Sequence, residues 1–526
     1  MGKISRQEVN KQFRIRRYTL HAAALQDVLS FVNTHGQDDP LEALDLLLDH
    51  LDHLHLKSSN VDKDTIARVI ADLLAIDADD HSSSSSSHSS LAFIDAFLVP
   101  KFRYDSIRNS FSLCTSPLAV HGNAASKAAL YRDRFLLLSH RLSRNPHFSK
   151  PAFAAHFSNS ASCEIVPIQN LTWQTGKRWI MGVISQLEDA HFFLEDLTAS
   201  VELDLSTAKI TTGFFTENTI VVAEGEMLPK GAFKVNTCGF PPMEDREESL
   251  SFVSGLDFFG CGASTTEDTR KLAEMEKKAV NDMFVVLSDI WLDDEKTIGK
   301  LNEVLEGYEA VEVVPSLFIL MGSFCSSPCN LSFHSFASLR LQFGKLGKMI
   351  AQYPRLKEHS RFLLIPSPDD AGPSSVLPRP ALPKYLTEEL QKEIPNAVFM
   401  TNPCRIKFYS QEIVVFRRDL LYRMRRSCLI PPSTAETSDP FAHLVATIVH
   451  QSHLCPLPLT IQPISWNHDH SLHLFPTPHT IILGDRSEQK SFKYGGVTCF
   501  NPGSFSNEHT FVAYRPCNKE VELSAI

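Results

Sequence analysis

The chain has 526 residues, a formal net charge of −10 and 43% hydrophobic residues. That length exceeds what one core serves, so roughly two to four domains are expected, and the hydrophobic share is enough to fill them. The acidic balance excludes a chain whose main task is to coat nucleic acid, because neutralising phosphates needs a concentrated Lys/Arg surface; a local basic strip remains compatible with it.

The N-terminal MGKISRQEVNKQFRIRRY is charged where a signal peptide needs an apolar stretch, and Arg6 stands at the Ser/Thr position of the myristoylation pattern. No apolar run reaches the length of a bilayer span. The eleven cysteines form no CxxC pair, and the closest two, Cys325 and Cys329, lie in a Ser/Pro loop. They read as reduced thiols of a soluble intracellular protein rather than as a zinc site.

Taken in order, residues 1–76 carry a helical period. Leu25, Val28, Leu29 and Val32 share one face, then Leu44, Leu47, Leu48 and Leu51, then Ile66, Val69, Ile70, Leu73 and Leu74. Gly36 suits a helix C′ position and Ser59-Asn60 offers N-caps, so an N-terminal helical domain is predicted. The tract HSSSSSSHSS, His81 to Ser90, has nothing to bury, and 77–100 reads as a flexible linker. From Leu91 the pattern mixes a helical start with a Pro-broken extended piece. Lys127 to Arg144 is an amphipathic helix with its arginines on the polar side, read as ordinary solvation. Residues 101–165 are expected to pack on the core as a connecting segment.

Between 166 and 245 the period changes to two: WIMGVISQL, HFFLEDLTASVELDL, TIVVAEGEM and AFKVNTCGF are strand-like, with Val201, Leu203 and Leu205 alternating with Glu202 and Asp204. Five strands with a helix-like segment around Ser206 to Asn218 between the third and fourth predict an OB-fold β-barrel. Its strands carry Glu188, Asp189, Glu195, Asp196, Glu202 and Asp204, which would repel phosphates, so a protein-docking barrel is favoured over a single-strand binder.

Residues 246–526 alternate strands and helices: a helix from Glu267, then FVVLSD, a helix around Thr297 to Tyr308, SLFILMGSF, a helix Phe336 to Gln352, and RFLLIPSPDD. AVFMTNPCRIKFYSQEIVVF, a helix Arg418 to Arg426, LVATIVHQSH, TIILGD and a strand ending in NPGSF follow. Apolar strands followed by helices imply covered sheets, and the later strand pairs suggest a second sheet packed on the first, an α/β/β/α sandwich.

The strand ends fall where a two-metal phosphoesterase holds its cations. Such an enzyme needs carboxylates and imidazoles there, and the pattern of the calcineurin-like phosphoesterases is DxH, GD, GNH, a later His and GHxH. This chain has Asp289-Ile290-Trp291, with Trp291 for the histidine, and Gly322-Ser323, with Ser323 for the bridging carboxylate. Near the third motif stand Ser367, Pro368, Asp369 and Asp370; His453, with His450 nearby, matches the fourth, and Gly484-Asp485-Arg486-Ser487 the last. A serine cannot neutralise two adjacent cations, so these are degenerate positions: no catalytic residue, no metal ligand and no cofactor is expected. Asp289 alone reads as a turn or cap residue, and His450 and His453 as satisfied, partly buried side chains without nominated third and fourth ligands.

A barrel joined to such a sandwich, with LSDIWLD (287–293), FFLEDLTASVELDLS (192–206), RFLLIPSPDD (361–370), LPRPALP (377–383), TNPCRI (401–406), HLCPLPL (453–459) and NPGSF (501–505), resembles the B-subunit family of replicative DNA polymerases, on its epsilon branch. The resemblance implies a non-catalytic subunit that grips the C-terminal zinc-binding region of the catalytic subunit. It also implies two small histone-fold subunits in the same complex, contact of residues 1–76 with the GINS part of the replicative helicase, DNA met mainly through the complex, and residence in the nucleus. The reading left beside it is a divergent metal-dependent phosphoesterase or nuclease working through Asp289, Asp370 and His453. The arginines Arg417, Arg418, Arg423, Arg425 and Arg426 read as a solvated helix.

Overall fold

The computed structural model describes residues 91–148, 163–173, 176–188, 191–253, 255–262, 266–328, 333–372 and 375–526, with scattered positions between 9 and 69. It divides into two units, Met1–Ser89 and Ser90–Ile526.

The strands Phe284–Ser288, Leu317–Met321 and Arg361–Ile365 are apolar almost throughout because both of their faces are covered. They pair in parallel, with Phe284 opposite Leu317 and Leu317 opposite Arg361. Ala397–Phe399 extends this sheet on one side; Thr510–Arg515 and Glu520–Ala525 close the other side antiparallel. A second six-stranded sheet runs in the order Lys490–Tyr494, Val497–Asn501, Thr480–Gly484, Gln411–Arg417, Cys404–Phe408, Leu91–Asp95.

Val286, Ile319, Met321, Ile365, Ile406, Val415 and Ile482 fill the space between the two sheets. Helices Glu295–Ala310, Phe333–Ile350 and Lys384–Glu393 cover the first sheet, and Leu420–Arg426 and Pro440–Gln451 the second. The predicted α/β/β/α order is present. LVATIVHQSH lies in the helix Pro440–Gln451 and the turn that ends it; Asp439 caps that helix by accepting from the Phe441 N–H, and Pro440 stands in its first turn.

Leu91–Asp95 corrects two expectations. It is neither a helix start nor linker: it pairs antiparallel with Cys404–Phe408 and buries Leu91 and Ile94, so the sandwich recruits its edge strand from before the barrel. Local composition could not reveal a partner more than 300 residues away.

The barrel strands Arg178–Glu188, His191–Glu195, Ser200–Asp204, Ile220–Met227 and Ala232–Gly239 match the predicted OB-fold strands, and the sheet closes where Ile220–Met227 meets Ala232–Gly239. Ile180, Ile184, Leu194, Val201, Leu203, Phe233 and Val235 form its core. The helix expected at Ser206–Asn218 is absent. Two short strands, Lys209–Ile210 and Phe215–Thr216, stand there instead, the second paired with Cys428–Ile430 of the sandwich. Gly213 has φ +138°, outside helical backbone, and the N–H groups of Gly213 and Phe214 donate to His443 Nδ1 and Thr447 Oγ1 rather than to a helical turn.

Helix Ala124–Arg144 packs on the barrel through Leu138 and Leu142, against Met181, Ile220 and Val222. Arg132 is exposed, as expected of a solvated face, but two of the helix's arginines are not. Arg134 and Arg141 are buried; Arg134 grips Asp469, while Arg141 donates to Ser452 Oγ at 2.6 Å and Pro241 O at 3.3 Å.

In Met1–Ser89 the described positions of the three predicted helical faces are helical, and Val28, Val32, Leu44, Leu47, Leu48, Ile66 and Val69 are buried together. Thr19–Leu20 pairs in parallel with Asn60–Val61, so Asn60 belongs to a short strand. Gly36 and the serine tract lie outside the described residues. Among the described residues no helix is long and apolar enough to cross a membrane.

Candidate functional site

The degenerate positions at 289, 323, 367–370 and 485 gather where the predicted metal site belongs, at the carboxyl ends of the parallel strands. Asp289 follows Phe284–Ser288 directly and has φ +62°, the left-handed turn that Asp tolerates better than most residues. Its backbone N–H donates to Met321 O and Gly322 O, which makes it the turn residue expected. Its buried carboxylate does more. Oδ1 accepts from Arg486 Nε and Nη2, both at 3.1 Å, from Trp291 Nε1 at 3.3 Å and from Arg417 Nη2 at 3.5 Å; Oδ2 accepts from Ser504 Oγ at 2.7 Å and Ser506 Oγ at 3.3 Å.

Arg417 is completely enclosed. Its Nη1 donates to Asp419 at 2.9 Å and to Gly484 O at 2.9 Å, and its Nε to Gly322 O. Burial opposes the charge, but Asp419 and then Asp289 hold its pKa above the usual arginine range. The second glycine of the old motif serves this packing: a Cβ on Gly484 would lie 2.8 Å from Arg417 Cδ. The expectation of a solvated arginine run therefore fails at Arg417 and Arg418, both buried.

Ser323, at the bridging position, accepts from Arg486 Nη2 at 3.1 Å and meets Ser367 Oγ at 3.0 Å. Asp370 has turned to the backbone, accepting from Phe324 N–H at 2.7 Å and Ser367 N–H at 2.6 Å, while burial pushes its carboxyl up from the ordinary range. Between them Pro368 shapes the loop and the Asp369 N–H donates to Ser367 Oγ at 3.2 Å. Asp485 accepts from the N–H groups of Leu420 and Leu421 at 2.6 and 2.9 Å, capping the helix Leu420–Arg426.

This donor set does not fit two divalent cations. A two-metal centre brings cations about 3.5–4 Å apart and needs a shared anionic oxygen between them. Here that position is a hydroxyl, and the guanidinium groups of Arg417 and Arg486 stand on Asp289. Two arginines against Asp289 and Asp419 make a group balanced in charge without any metal.

His453 and His450 lie elsewhere. His453 Nδ1 accepts the Cys455 N–H at 3.0 Å, so its Nε2–H faces Asp469 Oδ1 at 3.2 Å; His473 Nε2 meets Asp469 Oδ2 at 3.1 Å. The structure thus brings Asp469 and His473 to His453, ligand types that the sequence left unnominated, with the three ligand atoms within 4.8 Å of one another. Arg134 already occupies Asp469, its Nε donating to Oδ2 at 2.9 Å, with a second bond from Nη2 to Oδ1. Burial, and then Arg134, push His453 down to about 3, so it is neutral at pH 7. His450 is likewise pushed down to about 4 by burial, its ring held between Pro241 O and Tyr494 OH, each at 2.8 Å. Both rings are hydrogen-bonded, and His453 is fully rather than partly buried.

Sequence reasoning missed the stripe that joins barrel and sandwich. His443, Thr447 and Gln451, spaced i, i+4, i+8 on helix Pro440–Gln451, bond Gly213, Phe214 and both backbone groups of Ile220. Three polar residues on one face of a very apolar helix were the available signal. The barrel's predicted acidic character holds, with Glu188, Glu195 and Glu202 exposed.

Residues 284–493 match the family of the DNA polymerase alpha/epsilon B-subunits, and residues 124–242 the family DNA polymerase epsilon subunit 2-like, OB-fold domain. The chain is 63% identical to the DNA polymerase epsilon B-subunit of Arabidopsis thaliana over 99% of both chains. It is 33% identical to DNA polymerase epsilon subunit 2 of Bos taurus, covering 98% of this chain and 97% of that one, and 37% identical to that of Homo sapiens, covering 82% and 83%. A solved archaeal phosphodiesterase is matched over 46% of this chain and 99% of its own at 10% identity and a TM-score of 0.26, too low to add weight to the sheet order itself. On these grounds the chain belongs to the family of DNA polymerase epsilon B-subunits.

Proposed function

We propose that the chain is a non-catalytic accessory subunit of DNA polymerase epsilon, a scaffold in chromosomal replication whose phosphoesterase-like sandwich has no turnover. The observation that carries the second half is the pair of arginines, Arg417 and Arg486, on Asp289, with Ser323 at the bridging position. In this reading the barrel and sandwich hold the C-terminal zinc-binding region of the catalytic subunit, alongside two small histone-fold subunits. Residues 1–76, as a helical domain beyond the linker, contact the GINS part of the replicative helicase. DNA is met mainly through the complex, in the nucleus.

The competing reading, a divergent phosphoesterase or nuclease, needs Asp289, Asp370 and His453 to share a cation. Each is committed to other donors or acceptors: Asp289 to two arginines, Asp370 to two backbone N–H groups, His453 to Asp469. Metal analysis of the purified protein followed by a phosphodiester assay with Mn²⁺ separates the two. Stoichiometric metal, with turnover abolished by Asp289→Ala, would sink the scaffold reading. For the partners, co-purification of full-length protein is compared with a chain beginning at Ser90, which keeps the strand Leu91–Asp95. Polymerase binding is expected to survive and helicase binding to fall.

A further inference from the structure

A cleft of about 760 Å³ opens beside the arginine-filled site, between the helix Leu420–Arg426 and the turn after Gly484. Tyr422, 66% exposed, stands in it with the half-buried Leu421, and Arg425, Arg426 and Arg486 supply its charge. Its two carboxylates are already engaged inside: Asp419 with Arg417, Asp485 with the helix N–H groups.

Of these cations Arg486 is paired, with Asp289 at 3.1 Å and Asp419 at 4.0 Å, whereas the arginines of the helix are not. Among the described residues neither Arg423 nor Arg425 makes an ion pair or a side-chain hydrogen bond, and Arg426 reaches only Tyr422 OH, at 3.2 Å. Arginines in the last turn of a helix are ordinarily explained by its dipole, worth a fraction of a kcal/mol. That explanation does not extend to Arg418, which precedes the helix, at the end where the dipole disfavours a cation. Arg418 is only 5% exposed, and its Nε is buried with no acceptor. Burial, and then Arg423 beside it, press its pKa down. Cys455, Asp369 and Asp419 pull the other way and offset this in part; Arg418 itself lies outside the lining of the cleft.

We propose that this cleft docks an acidic segment of a protein partner, one that carries carboxylates beside aliphatic side chains. The carboxylates answer Arg425 and Arg426, with Arg423 on the same helix just outside the cleft lining; the aliphatic groups lie against Leu421 and Tyr422, and tyrosine and arginine are the residue types that most often anchor interfaces. A phosphate backbone fits less well. The cations crowd around one short helix rather than forming a track, and the exposed barrel strands are acidic. The proposal rests on the scaffold reading, and in that reading the segment belongs to a polymerase subunit.

The test uses the full-length chain and the catalytic polymerase subunit, with Kd measured at two salt concentrations for the parent, R423E/R425E/R426E and R423Q/R425Q/R426Q. A control, K209E/K230E, reverses two exposed barrel charges. The charge reversal is expected to weaken binding at least about tenfold, the glutamine variant less, and the control by no more than about twofold, with a shallower salt dependence in both arginine variants. Should the reversal variant fail to fold, as judged by its melting curve, the glutamine variant decides. Parent-like affinity in a folded arginine variant overturns this proposal and leaves the scaffold reading standing. Absence of binding by the parent itself is instead a failure of the scaffold reading and takes this proposal with it. A parallel titration with a labelled single-stranded oligonucleotide covers the other surface: if the variants lose that binding and keep the protein, the cleft is a nucleic-acid contact and the proposal is wrong.

Discussion

Asp289→Ala should destabilise the sandwich rather than silence an activity. The carboxylate is 1% exposed and accepts three bonds of 3.1 Å or less, two from Arg486 and one from Ser504, besides longer contacts to Arg417, Trp291 and Ser506. Of the two cations it serves, Arg486 is 39% exposed and can turn to water, whereas Arg417 is 1% exposed and cannot. Arg417 keeps Asp419 at 2.9 Å, so it is left partly rather than wholly uncompensated. Breaking a buried pair on one side typically costs about 3–5 kcal/mol, and the retained Asp419 puts this case near the lower end. For the unit Ser90–Ile526, with an unfolding entropy of about 2.1 cal/mol/K per residue, about 3 kcal/mol lowers the melting temperature by roughly 3 °C. The assay is a thermal melt with a urea midpoint for Asp289→Ala, Arg486→Leu and the double variant. The two side chains touch, so the double variant should be less destabilised than the sum of the singles, by about 1–2 kcal/mol. If Asp289→Ala melts within about 1 °C of the parent, the carboxylate does not anchor the arginines and the reasoning fails.

Other expectations follow from the same contacts. Gln451→Leu strands the buried N–H and C=O of Ile220, which the amide bonds at 2.9 and 2.7 Å, and should cost about 2–4 kcal/mol, with faster hydrogen exchange at Ile220 as the local readout. Gly322→Ala would place a Cβ 1.9 Å from Asp370 Oδ2, beside the Ser367 backbone; overpacking there should cost about 1–3 kcal/mol or more in a urea titration. His450 and His453, pushed down to about 4 and about 3, stay neutral in the fold while their unfolded counterparts protonate near pH 6.5. The unfolded state therefore binds more protons below that pH. Stability should be flat on their account above about pH 6.5 and fall by about 1.4 kcal/mol per pH unit for each histidine on acidifying toward pH 4. His450→Gln should reduce that slope by one proton; an unchanged slope in urea midpoints between pH 7 and 4.5 would count against the assignment.

Much of this architecture is legible along the chain, and the exceptions share a cause. FVVLSD, SLFILMGSF and RFLLIPSPDD announce buried parallel strands because both faces must be apolar, and a period of two exposes the barrel strands in the same way. The departures from the phosphoesterase pattern are also a local matter, since Trp291 and Ser323 stand at those positions whatever surrounds them. Local pattern failed where a distant partner decided. Leu91–Asp95 is a strand because Cys404–Phe408 offers an edge. Ser206–Asn218 is not a helix, because side chains of helix Pro440–Gln451 take its N–H groups. Arg134, Arg141, Arg417 and Arg418 looked like solvated charge because hydropathy assigns arginine to water. Burial of a guanidinium depends on acceptors supplied from elsewhere, which no period reveals.

By itself, then, the sequence determined the buried strands of the sandwich, the strands of the barrel, the layer order and the absence of a carboxylate at position 323, all consequences of side-chain polarity at fixed spacing. Only the tertiary structure decided what surrounds Asp289. Arg417 and Arg486 arrive at Asp289 from positions 128 and 197 residues away, and a balanced set of charges forms only when the two sheets bring those strand ends together.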